Sequence, residues 1–320
     1  MKLWKRTEAR GRGFAGAVEY RALQMALFAA RAIPGRLGLE AGRAVGTAAA
    51  LVLRRYFHRA VDNLRHAYPE KTSEWIRRTA LGSFQHFGQL AAEILNSPRN
   101  PAGARWAEIV RVVNEERTVA TVREGKGAIF LTGHLGNWEL ATQLANRHGL
   151  RLTSIAHESR NPRIATLMDR ERIARGTETV PMEGAFRELI RALKRGHIVA
   201  LLTDRNPRDN GILVPFFGRD IMTVTTPALM SCMTGAPIIN LACLREGNAF
   251  RYTLYFGEPM RPDPKKPREQ EVDRLTREST AALERYIRMA PDQWQWMHRR
   301  WKITPGGLQR AGLAPATSPR

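Results

Sequence analysis

The feature that most constrains this chain is a change of periodicity near residue 127. From there short apolar runs recur, several rich in β-branched residues: GAIFLTG (127–133), RLTSIAH (151–157), HIVALLTD (197–204), PIINLACL (237–244) and FRYTLYFG (250–257). Runs of this length and composition read as strands. Segments of helical spacing lie between most of them, at Glu139–His148, Pro162–Arg175, Glu183–Arg195 and Pro227–Met233, with a further helix expected over Glu269–Met289. Strands alternating with helices predict the α/β class, a mostly parallel central sheet flanked by helices. Residues 1 to about 120 read instead as helices; the segment 80–97 carries Phe84, Phe87, Leu90 and Ile94 at helical spacing.

The N-terminal part bears on a membrane. A basic start (Lys2, Lys5, Arg6, Arg10, Arg12) precedes AVEYRALQMALFAARAIP, 17–34, and a second Ala-rich run covers Ala44 to Leu53. Glu19, Arg21, Gln24 and Arg31 interrupt the first run, and neither approaches the roughly 18 to 20 apolar residues that span a bilayer. The first run reads better as an amphipathic helix, either lying in the lipid interface or packed on the domain it precedes. Charge tips the reading towards lipid. Lys and Arg total 51 against 30 Asp and Glu, a formal charge of +21, so an anionic partner is expected. No nucleic-acid-binding motif accompanies that charge. The two cysteines, Cys232 and Cys243, sit in apolar runs and are expected as buried free thiols in a reducing compartment.

One segment could carry chemistry. In GHLGNWEL, 133–140, His134 ends the strongest strand and Glu139 follows five positions later, at the start of a helix. The end of a strand opening into a helix is where α/β folds place their sites. An imidazole there suits base work near neutral pH, and a nearby carboxylate can fix its tautomer. The competing reading is a His ending a buried strand and a first-turn carboxylate. Asn137, in the same turn, is placed with the substrate-binding residues. No G-x-S-x-G elbow, metal-ligand spacing, P-loop or dinucleotide fingerprint is present, so neither metal nor cofactor is expected. Chemistry here would then be direct, a base and a carboxylate without a covalent nucleophile, which suits attack of a substrate hydroxyl on an activated acyl group, with backbone amides near the helix start able to hold the oxyanion.

Two arginine clusters follow strand ends. HESRNPR, 157–163, offers Arg160 and Arg163 for bidentate phosphate binding. TDRNPRDNGILVPFFG, 203–218, offers Asp204 and Arg205 as further substrate-binding residues, and VPFFG reads as an apolar wall. For each arginine a solvated surface charge is the alternative. His148 and His197 read as surface or helix-end residues. The cluster DQWQWMHRRW, 292–301, reads as a membrane-interface belt or a closing helix packed on the core, packing being favoured. RPDPKKPR, 261–268, is a loop, and the tail after Lys302 reads as loop or disorder.

Six collinear pieces resemble the bacterial lipid A biosynthesis lauroyl/myristoyl acyltransferase family, a branch of the lysophospholipid acyltransferases. They are NLRHAYPE (63–70), GAIFLTGHLGNWEL (127–140), SRNPR with Arg175-Gly176 downstream, ALLTDRNPRDNGILVPFFGRDIMTVTTPA (200–228), GAPIIN (235–240) and PDQWQWMHRRWK (291–302). The resemblance implies a membrane-associated acyltransferase domain over 54–302, after a basic membrane-associating region 1–53 and before a disordered tail 303–320. It implies acyl transfer from an acyl carrier protein or coenzyme A thioester to a lipid or glycolipid hydroxyl, at the cytoplasmic face of the inner membrane. By the family's His-x4-acid motif, His134 resembles the base and Glu139 its partner, with Arg160 and Arg163 as phosphate ligands and Asp204 a further site residue. Related branches acylate phosphatidylinositol mannosides or other polar lipids such as lysophospholipids. Outside this family, a non-catalytic basic membrane-binding protein, or a hydrolase using the same His and Glu on water, would share the charge and the motif.

Overall fold

A computed structural model describes residues 16–21, 24–25, 35–95, 106–156, 161–174, 176–207 and 211–303. Ahead of the sheet the described residues include the helices α1 (Gly35–Val52), α2 (Arg54–Ala67) and α3 (Ser73–Leu95). α1 packs across α3 at backbone contact. A Cβ on Gly42 would meet the Gly88 carbonyl oxygen at 2.6 Å, and one on Gly46 the Phe84 carbonyl oxygen at 2.3 Å. Only glycine permits that approach. The opposite face of α1 leaves Leu37, Val45, Leu51 and Val52 exposed. Among the described residues no helix is long and apolar enough to cross a membrane. Most of the run 17–34, and residues 304–320, lie outside the described residues.

The α/β part follows as β1 (Val110–Val113), α4 (Glu115–Arg123), β2 (Ala128–Thr132), α5 (Trp138–Arg147), β3 (Leu152–Ile155), α6 (Pro162–Ala174), β4 (Thr177–Val180), α7 (Ala185–Lys194) and β5 (Ile198–Leu202). A hairpin, β6 (Ile212–Phe216) and β7 (Arg219–Thr223), then α8 (Thr226–Thr234), β8 (Ile238–Arg245), β9 (Tyr252–Phe256) and α9 (Arg268–Met289) complete it. Among the described residues seven strands form one sheet in the order β1-β9-β8-β2-β5-β3-β4. β2, β3, β4, β5 and β8 run parallel, while β9 pairs antiparallel with β8 and β1 follows β9. The five strands expected from sequence are present, within a sheet that is mostly parallel. β1, β4 and the β6–β7 hairpin escaped the sequence reading; β1 lies inside the stretch read as all helical. β1, β4 and β7 are four or five residues long and carry charges (VRVV, TETV, RDIMT), and β6 is a five-residue run with a proline (ILVPF), so periodicity has little to register.

Strand alternation explains why the sheet has two covered faces. In β2, Ala128 and Phe130 join the core under α5 with Leu140, Ala141 and Leu144. Ile129 and Leu131 point the other way, to Leu189 and Leu193 of α7 and Met230 of α8. A third core joins α2, α3, the hairpin and α9 through Phe216, Phe217, Trp294 and Trp296. The tryptophan segment is therefore packed, as favoured. It is an irregular strap after a single 3-10 turn at Pro291–Gln293 rather than a helix. VPFFG is also core: Phe216 and Phe217 are buried against Trp294, Trp296 and Trp301 and form no wall of the cavity described below.

Candidate active site

β2 and β5 are neighbours with Thr132 opposite Leu202, and the ladder continues with the Thr203 amide donating to the Thr132 carbonyl at 3.1 Å. Two residues beyond that pair, in the same register, come His134 and Asp204. Parallel pairing thus brings together two side chains 70 positions apart. His134 Nδ1 lies 2.7 Å from Asp204 Oδ1, and the His134 backbone N–H donates to Asp204 Oδ2 at 2.7 Å. Trp294 donates its indole N–H to the same Oδ2 at 2.9 Å. Asp204 is buried, its side chain 1% exposed. Burial alone would raise its carboxyl pKa, but the His134 imidazole, the His134 amide and the Trp294 indole hold it below the usual carboxylate range. An ionised Asp204 accepts from Nδ1–H of His134, which leaves the lone pair on Nε2.

Glu139 does not reach His134. It sits in the first turn of α5, beyond the turn 135–137, and accepts from Arg172 Nη2 of α6 at 2.7 Å. Both side chains are mostly buried, 13% and 16% exposed. The carboxylate that holds the imidazole is Asp204, placed by the sequence reading among substrate-binding residues. The intervening turn diverts Glu139. Gly136 has φ +58°, and a Cβ there would lie 1.9 Å from the Cys243 carbonyl oxygen. The turn is thus pressed onto β8 and α5 starts from a fixed point.

Asn137 is the N-cap of α5 and is buried. Its Oδ1 accepts from the Leu140 amide at 3.3 Å and its Nδ2 donates to Glu93 Oε2 at 2.9 Å. Glu93 also accepts from Arg245 Nη1 and from the Tyr252 hydroxyl, each at 2.5 Å. Asn137 is thus the top of a buried polar network beneath the turn, and it does not line the cavity described below. Arg163 is exposed at the start of α6 and does not line the cavity, while Arg160 lies outside the described residues. Arg205 does line it. His148 caps the C-terminus of α5 and contacts Glu115 at 2.7 Å, as a helix-end residue should. His197 is buried beside Thr153 rather than at the surface, and it follows the end of α7, its amide donating to the Ala192 carbonyl at 3.0 Å, so of the two expected placements it takes the helix end. Cys243 is buried and Cys232 partly so, and both are free.

His134 opens onto a cavity of about 520 Å³. Phe87, Leu90 and Ile94 of α3, Trp138 of α5, and Phe130, Leu152 and Leu202 of the sheet give it apolar walls. Glu139, Arg172, Arg205 and Gln295 supply the polar groups. Register gives its direction. Thr132 and Leu202 stand at the strand ends; Phe130, Ala200 and Ser154 one inward position below; Leu152 and Thr177 one below that. The cavity therefore descends along the strands for about 13 Å at 3.3 Å per residue.

Backbone amides near the helix start are largely committed. Those of His134, Leu135, Gly136 and Asn137 donate to Asp204 Oδ2, Gly133 O, Gln293 O and Cys243 O at 2.7, 2.8, 3.1 and 2.8 Å. Sequence reasoning missed Arg172, Trp294 and Gln295. Arg172 stands in a charged helix with nothing to mark it. The strap residues were visible as a cluster, but their contact with the site depends on a chain return of some 90 residues. Among the described residues no three His, Cys, Asp or Glu side chains gather at metal-binding distance.

Comparison with known proteins adds three findings. The sequence profile for "Bacterial lipid A biosynthesis acyltransferase" matches residues 19–303. The chain is 26% identical over 254 residues to the lipid A biosynthesis lauroyltransferase of Escherichia coli (strain K12), covering 77% of this chain and 79% of that one. It is also 26% identical over 179 residues to the phosphatidylinositol mannoside acyltransferase of Mycobacterium tuberculosis (strain CDC 1551 / Oshkosh), covering 54% of this chain and 56% of that relative. The match thus spans little more than half the length of the mycobacterial protein.

Proposed function

Because this chain belongs to the bacterial lipid A biosynthesis acyltransferase family, we propose that it is an O-acyltransferase with His134 as general base and Asp204 as its partner. The carrying observation is the pairing of His134 with buried Asp204 at the mouth of a deep apolar cavity. A fatty acyl chain fits such a cavity, and its burial would contribute about 0.8 kcal/mol per methylene to holding a thioester at His134.

The acceptor hydroxyl gives its proton to His134 Nε2, and its oxygen attacks the thioester carbonyl carbon. The carbonyl π pair moves onto oxygen to form a tetrahedral oxyanion. Its return expels the sulfur, which leaves as a thiol on taking the proton back from Nε2. Ester and thiol are the products, and the base is regenerated. Asp204 holds the imidazole in the useful tautomer and stabilises the imidazolium while it exists. Arg172, fixed by Glu139, and Arg205 place guanidinium groups beside the reacting centre, suited to phosphates on donor or acceptor.

The donor is an acyl carrier protein or coenzyme A thioester, and the acceptor a lipid or glycolipid hydroxyl. A lipid A precursor and a phosphatidylinositol mannoside are the two acceptors that the relatives' names suggest. The exposed apolar face of α1, followed by Arg54 and Arg55, together with a charge of +21, suits an anionic bilayer surface at the cytoplasmic side of the inner membrane.

Lipid mass spectrometry on cells expressing wild type or His134→Ala tests the reading. A polar lipid heavier by one acyl group, present only with wild type, is expected. Free fatty acid with no acylated lipid would replace it with a hydrolase. An unchanged product with a folded His134→Ala protein would remove His134 from the chemistry.

A further inference from the structure

The strap after α9 runs antiparallel to the turn that carries His134. Gly136 donates its amide to the Gln293 carbonyl at 3.1 Å, and the Gln295 amide donates to the His134 carbonyl at 3.2 Å. This ties Gln295 directly to the base, and its side chain lines the same cavity. Its Oε1 contacts Nε2 of His298, whose ring centre lies 5.9 Å from that of His134. An amide oxygen only accepts, so the contact requires a proton on His298 Nε2. Burial lowers the His298 pKa to about 4, which keeps the ring neutral near pH 7. With Oε1 occupied, the Gln295 NH2 is the end left for another partner.

Acyl transfer needs a donor at the carbonyl oxygen, where charge develops. The backbone amides from His134 to Asn137 are already used. Arg172 is engaged by Glu139, and Arg205 is exposed at the cavity rim. Building on the acyl-transfer reading, we propose that the side-chain amide of Gln295 donates to the thioester oxyanion, and that His298 is a positioning residue that sets which end of the amide faces the reacting carbon.

The test uses the full chain with palmitoyl-coenzyme A and palmitoyl-acyl carrier protein as donors and total bacterial polar lipid as acceptor. Gln295→Leu should lower kcat by about 10²–10³-fold. Its affinity for S-hexadecyl-coenzyme A, in which a methylene replaces the carbonyl, should stay within about twofold of wild type, since the lost bond forms only to the oxyanion. Should Gln295→Leu fail to fold, Gln295→Glu keeps the shape without the N–H and predicts the same loss. His298→Ala should cost about tenfold alone and nothing further in the Gln295→Leu background, because both act through one amide. Full kcat in a folded Gln295 variant, or an equal loss of affinity for the analogue, overturns the proposal. Wild type that transfers from neither donor overturns the acyl-transfer reading, and this inference with it.

Discussion

The indole nitrogen of Trp294 lies 2.9 Å from Asp204 Oδ2, so a residue of the C-terminal strap shares the carboxylate that holds His134. The strap is anchored on both sides. Asn63 donates to the Trp296 and His298 carbonyls at 2.6 and 2.8 Å, and buried Arg300 donates to the Met222 carbonyl at 2.6 Å and to Thr223 Oγ1 at 2.8 Å. The strap therefore links α2 and the hairpin to Asp204 at the end of β5.

Trp294→Phe keeps the ring packing and deletes the donor. A hydrogen bond to a charged group contributes about 1.5–3 kcal/mol. Without it the Asp204 carboxyl should titrate higher, since the ionised form loses a stabilising contact. With the carboxylate less firmly held, kcat should fall by about tenfold. Unchanged kcat in a folded variant would separate Trp294 from the function of Asp204.

Asp204→Asn should reduce kcat by about 10³–10⁴-fold while leaving the fold intact, because the amide cannot stabilise an imidazolium and favours the wrong tautomer. Glu139 behaves differently. Glu139→Gln leaves the Arg172 charge mostly buried without its partner and should destabilise the protein. Adding Arg172→Met should restore part of that stability, a coupling of about 1–3 kcal/mol in urea unfolding. Additive effects would mean that the pair is incidental.

His86 gives a pH signature. It is fully buried on α3, with Nε2 3.2 Å from the Gly136 carbonyl oxygen. Burial, with the Arg245 charge adding to it, lowers its pKa to about 3 from 6.5. Between those values the unfolded chain binds a proton that the folded one refuses, so stability falls as pH falls from 6.5 towards 3. At pH 5 the loss is about 2 kcal/mol. His298, lowered to about 4, acts in the same direction. Urea midpoints at pH 7 and pH 5 should differ accordingly, and His86→Gln, which can still donate to Gly136, should narrow the difference.

Gly136→Ala combines a positive φ with a Cβ 1.9 Å from the Cys243 carbonyl oxygen. The turn must move away from β8, with a cost of more than about 3 kcal/mol or failure to fold. Where the variant folds, activity should fall with stability, because this turn carries His134 and is bonded to the strap, Gly136 donating to the Gln293 carbonyl and Gln295 to the His134 carbonyl. A variant as stable as wild type would contradict the tight seat assigned to the turn.

Much of this protein was legible without coordinates. The runs 127–133, 197–204 and 237–244 had too little polarity to be anything but buried strands, and helical segments between them leave only an α/β sheet with parallel crossovers. His134 and Asp204 could each be picked out because each ends such a strand. Their partnership could not. The local spacing of His134 and Glu139 suggested a contact that the fold does not make, since five residues separate them in sequence but a turn pressed onto β8 separates them in space.

What the sequence alone determined is the inventory: strand-forming runs, a histidine and an aspartate at strand ends, a basic surface, and an aromatic cluster near the C-terminus. Tertiary structure decided which carboxylate faces the imidazole, where the apolar cavity lies and which strap residues reach it. The physical reason is that strand propensity and hydrophobic period are local, whereas strand order and register are set by pairing across the whole sheet. Placing β2 beside β5 with Thr132 opposite Leu202 carries His134 to Asp204. The return of the chain after α9 carries Trp294 and Gln295 to both.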